Sequence, residues 1–165
     1  MSDTIRNQLE VNEFVAGEKI AQGHMDKIYG DLGLITDRSK ACQAFDCQIT
    51  KEQKTYKIEE KFRQDDYGDF GVELFQCVME PQLGWYYHVD ADYINYVICD
   101  HWEPRYGYWV RWRTFKKWMI NHLTYNKKPE VFVSPLGIGL SLNVAFTWAL
   151  LTAEKIADRW EYTDG

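Results

Sequence analysis

The sequence predicts a mixed α/β or α+β fold, in which an N-terminal helix precedes a mixed central sheet of about four to five strands and further helix. Three observations predict it. Apolar residues recur at helical spacing near the N-terminus, residues 43–63 alternate between apolar and polar, and residues 92–99 form a strongly β-prone run. The 165-residue chain is 45% hydrophobic and 16% aromatic, which is enough to bury a core and excludes a mainly disordered protein.

The first element is a helix over about residues 5–29. Its apolar positions with helical spacing are Phe14, Ala21, Met25, Ile28 and Leu32. Gly30 and Gly33 bracket its exit. We therefore expect one long helix that lays this face on the sheet.

Two strands follow, at residues 43–49 and 55–63. Alternation places Phe45, Cys47 and Ile49 on one face of the first strand, which leaves Asp46 on the other. The two faces of the second strand are Tyr56, Ile58, Glu60 and Phe62, and Lys57, Glu59, Lys61 and Arg63. If the strands pair, Asp46, Glu59 and Lys61 converge.

The remaining elements are predicted to be a third strand over 70–78, a central strand over 92–99, a strand over 106–112, a helix over 114–123 and a helical tail over 152–162. Strand assignments around 130–148 stay open. We expect a single domain over 1–165, with a core at about 10–125 and a C-terminal helical extension at about 130–165.

Asp46, Glu59 and Lys61 form the constellation that carries chemistry. Two neighbouring carboxylates make a hard-oxygen site suited to Mg²⁺ or Mn²⁺, and the main-chain carbonyl of Glu60 lies between them as a further ligand. A divalent ion there can activate water and shield charge on a phosphate. Lys61 can hold the attacking water or stabilise the charge that develops on phosphorus.

This pattern resembles the active site of the PD-(D/E)xK nuclease superfamily, which has the restriction-endonuclease-like fold. An Asp on one strand (Asp46) is followed on the next by acid-x-Lys (Glu59 to Lys61), and Phe45 stands where the family name has Pro. Gly84-Trp85 and residues 91–97 are similar to a stretch of some small stand-alone members. The resemblance spans about residues 10–125, although its diagnostic core is three residues.

The resemblance implies a Mg²⁺- or Mn²⁺-dependent endonuclease that hydrolyses DNA, with Asp46, Glu59 and Glu60 toward the metal. Many members add an acid from the first helix. Glu18 is the candidate here because it shares the inward face, and Glu13 and Glu10 are alternatives. Small nucleases of this kind often act as homodimers, since one unit cleaves one strand.

Charge is uneven along a chain whose formal net charge is −6. Residues 64–104 carry nine acids and no Lys or Arg, whereas residues 105–128 carry seven bases and no acid. On charge alone, the basic block is a solvated helix face paired with the acidic segment. With a nuclease function, its phosphate contacts are Arg111, Arg113, Lys116 and Lys117. The aromatic residues among them are expected to be structural.

Three alternatives stay open. Asp69 and Glu73 share a strand face and could hold a metal instead. The chain could be a non-catalytic interaction protein on the same fold, docking a basic partner through the acidic segment 64–104. It could also cleave RNA, because nothing in the sequence reads a 2′-hydroxyl. We expect neither a secretory signal nor a membrane span, because the N-terminus has no basic head with an apolar stretch behind it and the longest weakly polar run is sixteen residues. We therefore expect a cytoplasmic protein, of a kind suited to a phage or mobile element.

Overall fold

The protein is described from a computed structural model. The described residues are 3–77, 82–125, 130–136 and 139–162, with side chains described for 11–75, 82–122 and 141–162. The helices are α1 Asp3–Asp31, α2 Trp85–His88, α3 Trp112–Tyr125 and α4 Trp148–Ala153. The strands are β1 Ile35–Asp37, β2 Cys47–Lys51, β3 Lys54–Arg63, β4 Asp69–Cys77, β5 Gln82–Leu83, β6 Tyr93–Asp100, β7 Glu103–Arg111, β8 Glu130–Leu136, β9 Gly139–Thr147 and β10 Ala157–Glu161.

A mixed sheet of six strands, in the order β1-β2-β3-β6-β7-β10, forms the centre of the fold. β3 and β6 pair in parallel, and every other neighbouring pair in this sheet is antiparallel. The expectation of a mixed sheet is confirmed, as is the central position of the 92–99 strand, since β6 lies between β3 and β7. The sheet has more strands than the four or five expected because β1 and β10 extend its two edges.

Helix α1 covers one face of this sheet. The buried residues between helix and sheet, which we call the helix-side core, are Ala21, Met25, Ile28, Tyr29, Cys47, Ile49, Ile58, Phe62, Val97 and Cys99. The helix ends where Gly33 takes a φ of 72°, and the Leu34 N–H donates to the carbonyl of Tyr29. Phe14 and Leu32, expected on the inward face, are 46% and 62% exposed. Phe14 lies in the N-terminal half of the helix and Leu32 follows its last residue, so the buried face of α1 is shorter than the apolar spacing predicts.

A second sheet, in the order β5-β4-β9-β8, packs with α3 on the opposite face. The core between them, which we call the sheet-side core, includes Phe70, Ile94, Val110, Phe115 and Phe146. The strand predicted at 70–78 is β4, but it belongs to this second sheet rather than the central one. No helix in the described part of the chain has the length and apolar character needed to cross a membrane.

The expected C-terminal helical extension is wrong. β8 and β9 form a hairpin of the second sheet, and α4 ends at Ala153. The chain turns at Lys155, which has a φ of 56°, and then β10 pairs with β7 in the central sheet. Over so short a segment, the spacing of Ile156, Ala157 and Trp160 does not distinguish a helix from a strand. The segment forms a strand because the edge of β7 offers it hydrogen-bonding partners.

Candidate active site

The site lies where β2 and β3 separate. Their pairing ends at Cys47 and Ile58, and Asp46 continues it because its N–H donates to the Ile58 carbonyl at 2.9 Å. The Asp46 carboxylate Oδ2 then accepts the N–H of Glu60 at 2.7 Å. A side chain thus replaces the next main-chain partner, so Asp46 is fixed against the middle of the Glu59-Glu60-Lys61 tripeptide.

The strand expected at 43–49 begins only at Cys47. Before it, the chain closes a tight loop in which Cys42 and Phe45 form an isolated bridge. Phe45 was expected on the face of Cys47 and Ile49, but it packs in the sheet-side core. The expectation fails because strand alternation does not extend into the loop.

Glu59 and Lys61 share the face of β3 that points away from α1, as alternation predicts. Lys61 Nζ lies 2.5 Å from Glu59 Oε1, and the two side chains are 30% and 9% exposed. Burial, together with the negative charge of Asp46, raises the pKa of Glu59 to about 7, although the positive charge of Lys61 opposes this rise. The pair is therefore a half-desolvated ion pair under the influence of Asp46.

Glu18 of α1 is half-buried and lies within range of the same charges. Burial raises its pKa, the charge of Lys61 lowers it, and the charge of Asp46 raises it. Of the two alternatives, Glu13 is exposed, and the side chain of Glu10 lies outside the described part of the chain. Glu18 and Glu59 are therefore both within electrostatic range of Asp46 and Lys61, although they come from different elements.

Glu60 points to the opposite face of β3, and its carboxylate is fully buried. It accepts hydrogen bonds from Arg38 Nη1 at 2.7 Å and from Tyr29 OH at 2.8 Å. Strand geometry directs the N–H and the carbonyl of Glu60 together toward β2, where the N–H meets Asp46. The Glu60 carboxylate is therefore engaged in the protein interior, and the main-chain carbonyl is the oxygen that Glu60 offers to the site.

A buried polar network surrounds this carboxylate. Arg38 also donates from Nε to Asp26 at 3.0 Å. The Tyr29 hydroxyl accepts from Asn95 at 2.7 Å, and Asn95 accepts from Trp160 Nε1 at 2.9 Å. Burial lowers the pKa of Arg38, but the hydrogen bonds to Glu60 and Asp26 outweigh burial and hold it above its ordinary value.

Sequence reasoning missed this network. The available signal was Glu60 itself, a carboxylate on the apolar face of a strand, which must have a partner to be buried. The two partners of the Glu60 carboxylate, Arg38 and Tyr29, lie 22 and 31 positions away along the chain, so the sequence does not identify them.

The donor set is compatible with a hard divalent ion. Asp46 and Glu59 supply carboxylates and Glu60 a carbonyl, the oxygens that Mg²⁺ and Mn²⁺ prefer. Among the described residues, no three His, Cys, Asp or Glu side chains are grouped closely enough to hold an ion as they stand. The positive charge that lies next to the Glu59 carboxylate in this structure is the Lys61 ammonium.

The four predicted phosphate contacts differ in their surroundings. Arg111 is committed to the sheet edge, since it donates to the Lys155 carbonyl at 2.6 Å and to Asp158 at 2.5 Å. Arg113 is exposed, with Asp92 at 3.6 Å. Lys116 donates to the Val89 carbonyl at 3.2 Å, and Lys117 is exposed. The expected structural role of the nearby aromatics is confirmed, because Tyr108 and Trp112 are buried.

The alternative pair, Asp69 and Glu73, lies on β4 of the second sheet and not on a strand that pairs with β3. Several acids of the 64–104 segment have internal partners: Lys57 pairs with Asp90 at 3.0 Å, and Arg105 with Asp100 at 3.2 Å. Comparison of the chain with protein-family models, with curated proteins and with solved structures found no match.

Proposed function

We propose that this protein is a divalent-metal-dependent endonuclease that hydrolyses DNA phosphodiester bonds, with the restriction-endonuclease-like core that its motif resembles. One observation carries the proposal: Asp46 accepts the main-chain N–H of Glu60, between Glu59 and Lys61, and the charges of Asp46 and Lys61 both act on the Glu59 carboxylate. Asp46 has a structural contact to the Glu60 N–H, but that contact alone requires neither Glu59 nor Lys61 beside it.

Each residue has a role that its surroundings support. The carboxylates of Asp46 and Glu59 and the carbonyl of Glu60 would hold Mg²⁺ or Mn²⁺. When bound, such an ion lowers the pKa of a water and offsets the charge on a phosphate. Lys61 supplies an ammonium that can orient the attacking water or stabilise negative charge on the phosphorane. Glu18, half-buried beside these charges, accepts a hydrogen bond from water or helps to complete the ligand set.

The test is cleavage of plasmid, single-stranded DNA and RNA with Mg²⁺ or Mn²⁺. Wild type is compared with Asp46→Ala and Lys61→Ala. Lys57→Ala is the matched control, because Lys57 lies on the same face of the same strand but pairs with the exposed Asp90. We expect metal-dependent cleavage of DNA that both site variants lose and the control retains.

Two outcomes contradict the proposal. If no nucleic acid is cleaved and the folded protein does not bind Mn²⁺, a non-catalytic protein that docks a basic partner becomes the better explanation. If cleavage survives in both site variants, the residues are wrong and Asp69 with Glu73 are the next to replace. Cleavage of RNA alone would retain the site and change the substrate.

A further inference from the structure

We infer that the aromatic segment Trp85-Tyr86-Tyr87 of α2 binds an unstacked nucleobase beside the scissile phosphate, so that the preferred substrate is single-stranded or locally unpaired DNA. The inference rests on the proposed nuclease function and specifies its substrate class. We call these three residues the aromatic platform.

The platform begins at the proposed catalytic lysine. Lys61 Nζ lies 5.2 Å from the centroid of the Trp85 ring. That distance is comparable to one or two steps of a stacked strand, which rises about 3.4 Å per nucleotide. A phosphate held at Lys61 therefore places a neighbouring base within reach of the platform.

The platform is rigidly supported. The Gly84 N–H donates to the Leu74 carbonyl at 2.9 Å, and a Cβ built at Gly84 would lie 2.3 Å from the Glu73 carbonyl oxygen. Trp85 also packs on Trp112 with a centroid distance of 5.5 Å. The backbone of α2 is thus seated directly on β4, so its rings are held in place without a ligand, which lowers the entropic cost of binding.

One ring remains available to a ligand. Tyr87 is 47% exposed although the centroid of its ring lies 5.0 Å from that of Tyr86 and 6.4 Å from that of Phe75. Lys116 approaches the same group from α3, with its Nζ 5.4 Å from the Tyr86 centroid. An exposed ring in a group bordered by Lys61 and Lys116 suits a base with a phosphate on each side.

An aromatic surface of this kind selects for unpaired bases. A base inside a duplex is covered on both faces by its neighbours, whereas an unpaired base can stack on tyrosine regardless of its identity. The aromatic residues of β7 do not compete for this role. Tyr108 is buried, Tyr106 packs against the same sheet-side core, and Trp109 packs against the helix-side core. The platform at α2 is therefore where base contact is expected.

Binding is measured with a single-stranded oligonucleotide that carries 2-aminopurine, whose fluorescence falls on stacking, with Ca²⁺ in place of Mg²⁺ to suppress cleavage. We expect Tyr87→Ala to bind about 5- to 150-fold more weakly, the range of one lost stacking contact, and to lose the quenching. Tyr87→Phe keeps the ring and should behave as wild type. Thermal melting checks that Tyr87→Ala is folded, which its exposure favours.

The inference is overturned if Tyr87→Ala binds and quenches as wild type does, or if a duplex of the same sequence is bound and cleaved as well as the single strand. Quenching and cleavage are measured separately, so the two proposals can fail independently. Quenching that depends on Tyr87 in a protein that cleaves nothing would support the platform and contradict the nuclease. Cleavage of duplex alone would support the nuclease and contradict the platform.

Discussion

The Oδ2 atom of Asp46 accepts the main-chain N–H of Glu60 at 2.7 Å. Asp46 directly precedes Cys47, the residue at which the pairing of β2 with β3 ends. The Asp46 carboxylate therefore has a structural role as well as its proposed chemical role. An N–H that loses its acceptor in a part-buried position costs about 1–2 kcal/mol. The structural role and the chemical role can be separated by the choice of substitution at Asp46.

We expect Asp46→Asn to keep the fold and lose the reaction. The amide oxygen still accepts the Glu60 N–H, so the melting temperature should stay close to that of wild type, while the loss of a charged ligand should reduce cleavage by at least about 100-fold. Asp46→Ala should lose both, with about 1–2 kcal/mol less stability. Calorimetry and a cleavage assay measure the two effects, and a strongly destabilised Asp46→Asn would contradict this account of the contact.

Cleavage should rise with pH as Glu59 loses its proton. Only the ionised carboxylate is a good metal ligand. Since burial raises the pKa of Glu59 to about 7, activity at subsaturating Mg²⁺ should climb below about pH 7 and level off above it. More Mg²⁺ should move the inflection to lower pH, because metal and proton compete for the same oxygens. A rate that does not change from pH 5.5 to 8.5 would show that Glu59 is not a ligand.

The same residue should limit stability at high pH. A carboxyl group whose pKa is raised from 4.5 to about 7 stabilises the folded state fully below about pH 4.5, and this contribution disappears as the pH rises through 7. Glu59→Gln retains the neutral form throughout. It should therefore be about 1–3 kcal/mol more stable than wild type at pH 8.5 and nearly equal to it at pH 4. Melting curves at both pH values provide the test, and a gain of the same size at pH 4 would refute it.

Removal of Arg38 should be the most damaging change in the polar network. Arg38→Met leaves the fully buried Glu60 carboxylate without its countercharge, which costs about 3–5 kcal/mol. Adding Glu60→Gln removes the stranded charge and leaves an acceptor for Tyr29, so the double variant should recover much of the loss. Chemical denaturation of wild type, Arg38→Met, Glu60→Gln and the double variant measures the coupling energy between the two residues. Simple additivity of the two changes would argue against a direct pair.

Two glycines of α1 form a matched pair. A Cβ at Gly17 would lie 2.0 Å from Trp102 Cε2, whereas one at Gly23 would meet nothing within 4 Å. Gly17→Ala should lose about 1–3 kcal/mol through overpacking. Gly23→Ala should gain about 0.5–1 kcal/mol through helix propensity. Equal effects at the two positions would mean that the helix does not lie on Trp102 as described.

The sequence by itself determined the local features near the site. Period-two alternation separated Glu59 and Lys61 from Glu60, and the structure has them on opposite faces of β3. The glycine after α1, the central β6 and the buried face of β7 were also predictable. Each of these depends on residues a few positions apart, which is the range over which strand and helix periodicity acts.

Only the tertiary structure decided the features that depend on distant partners. Residues 157–161 are a strand because the edge of β7 offers them hydrogen bonds, and β4 joins a second sheet because β9 pairs with it. Arg38, Tyr29 and Asn95 meet Glu60 only after α1 and β6 pack against β3. The Trp85 ring reaches Lys61 in the same way. Such contacts depend on how whole elements pair and pack, and the spacing of residues along the chain does not determine this pairing and packing.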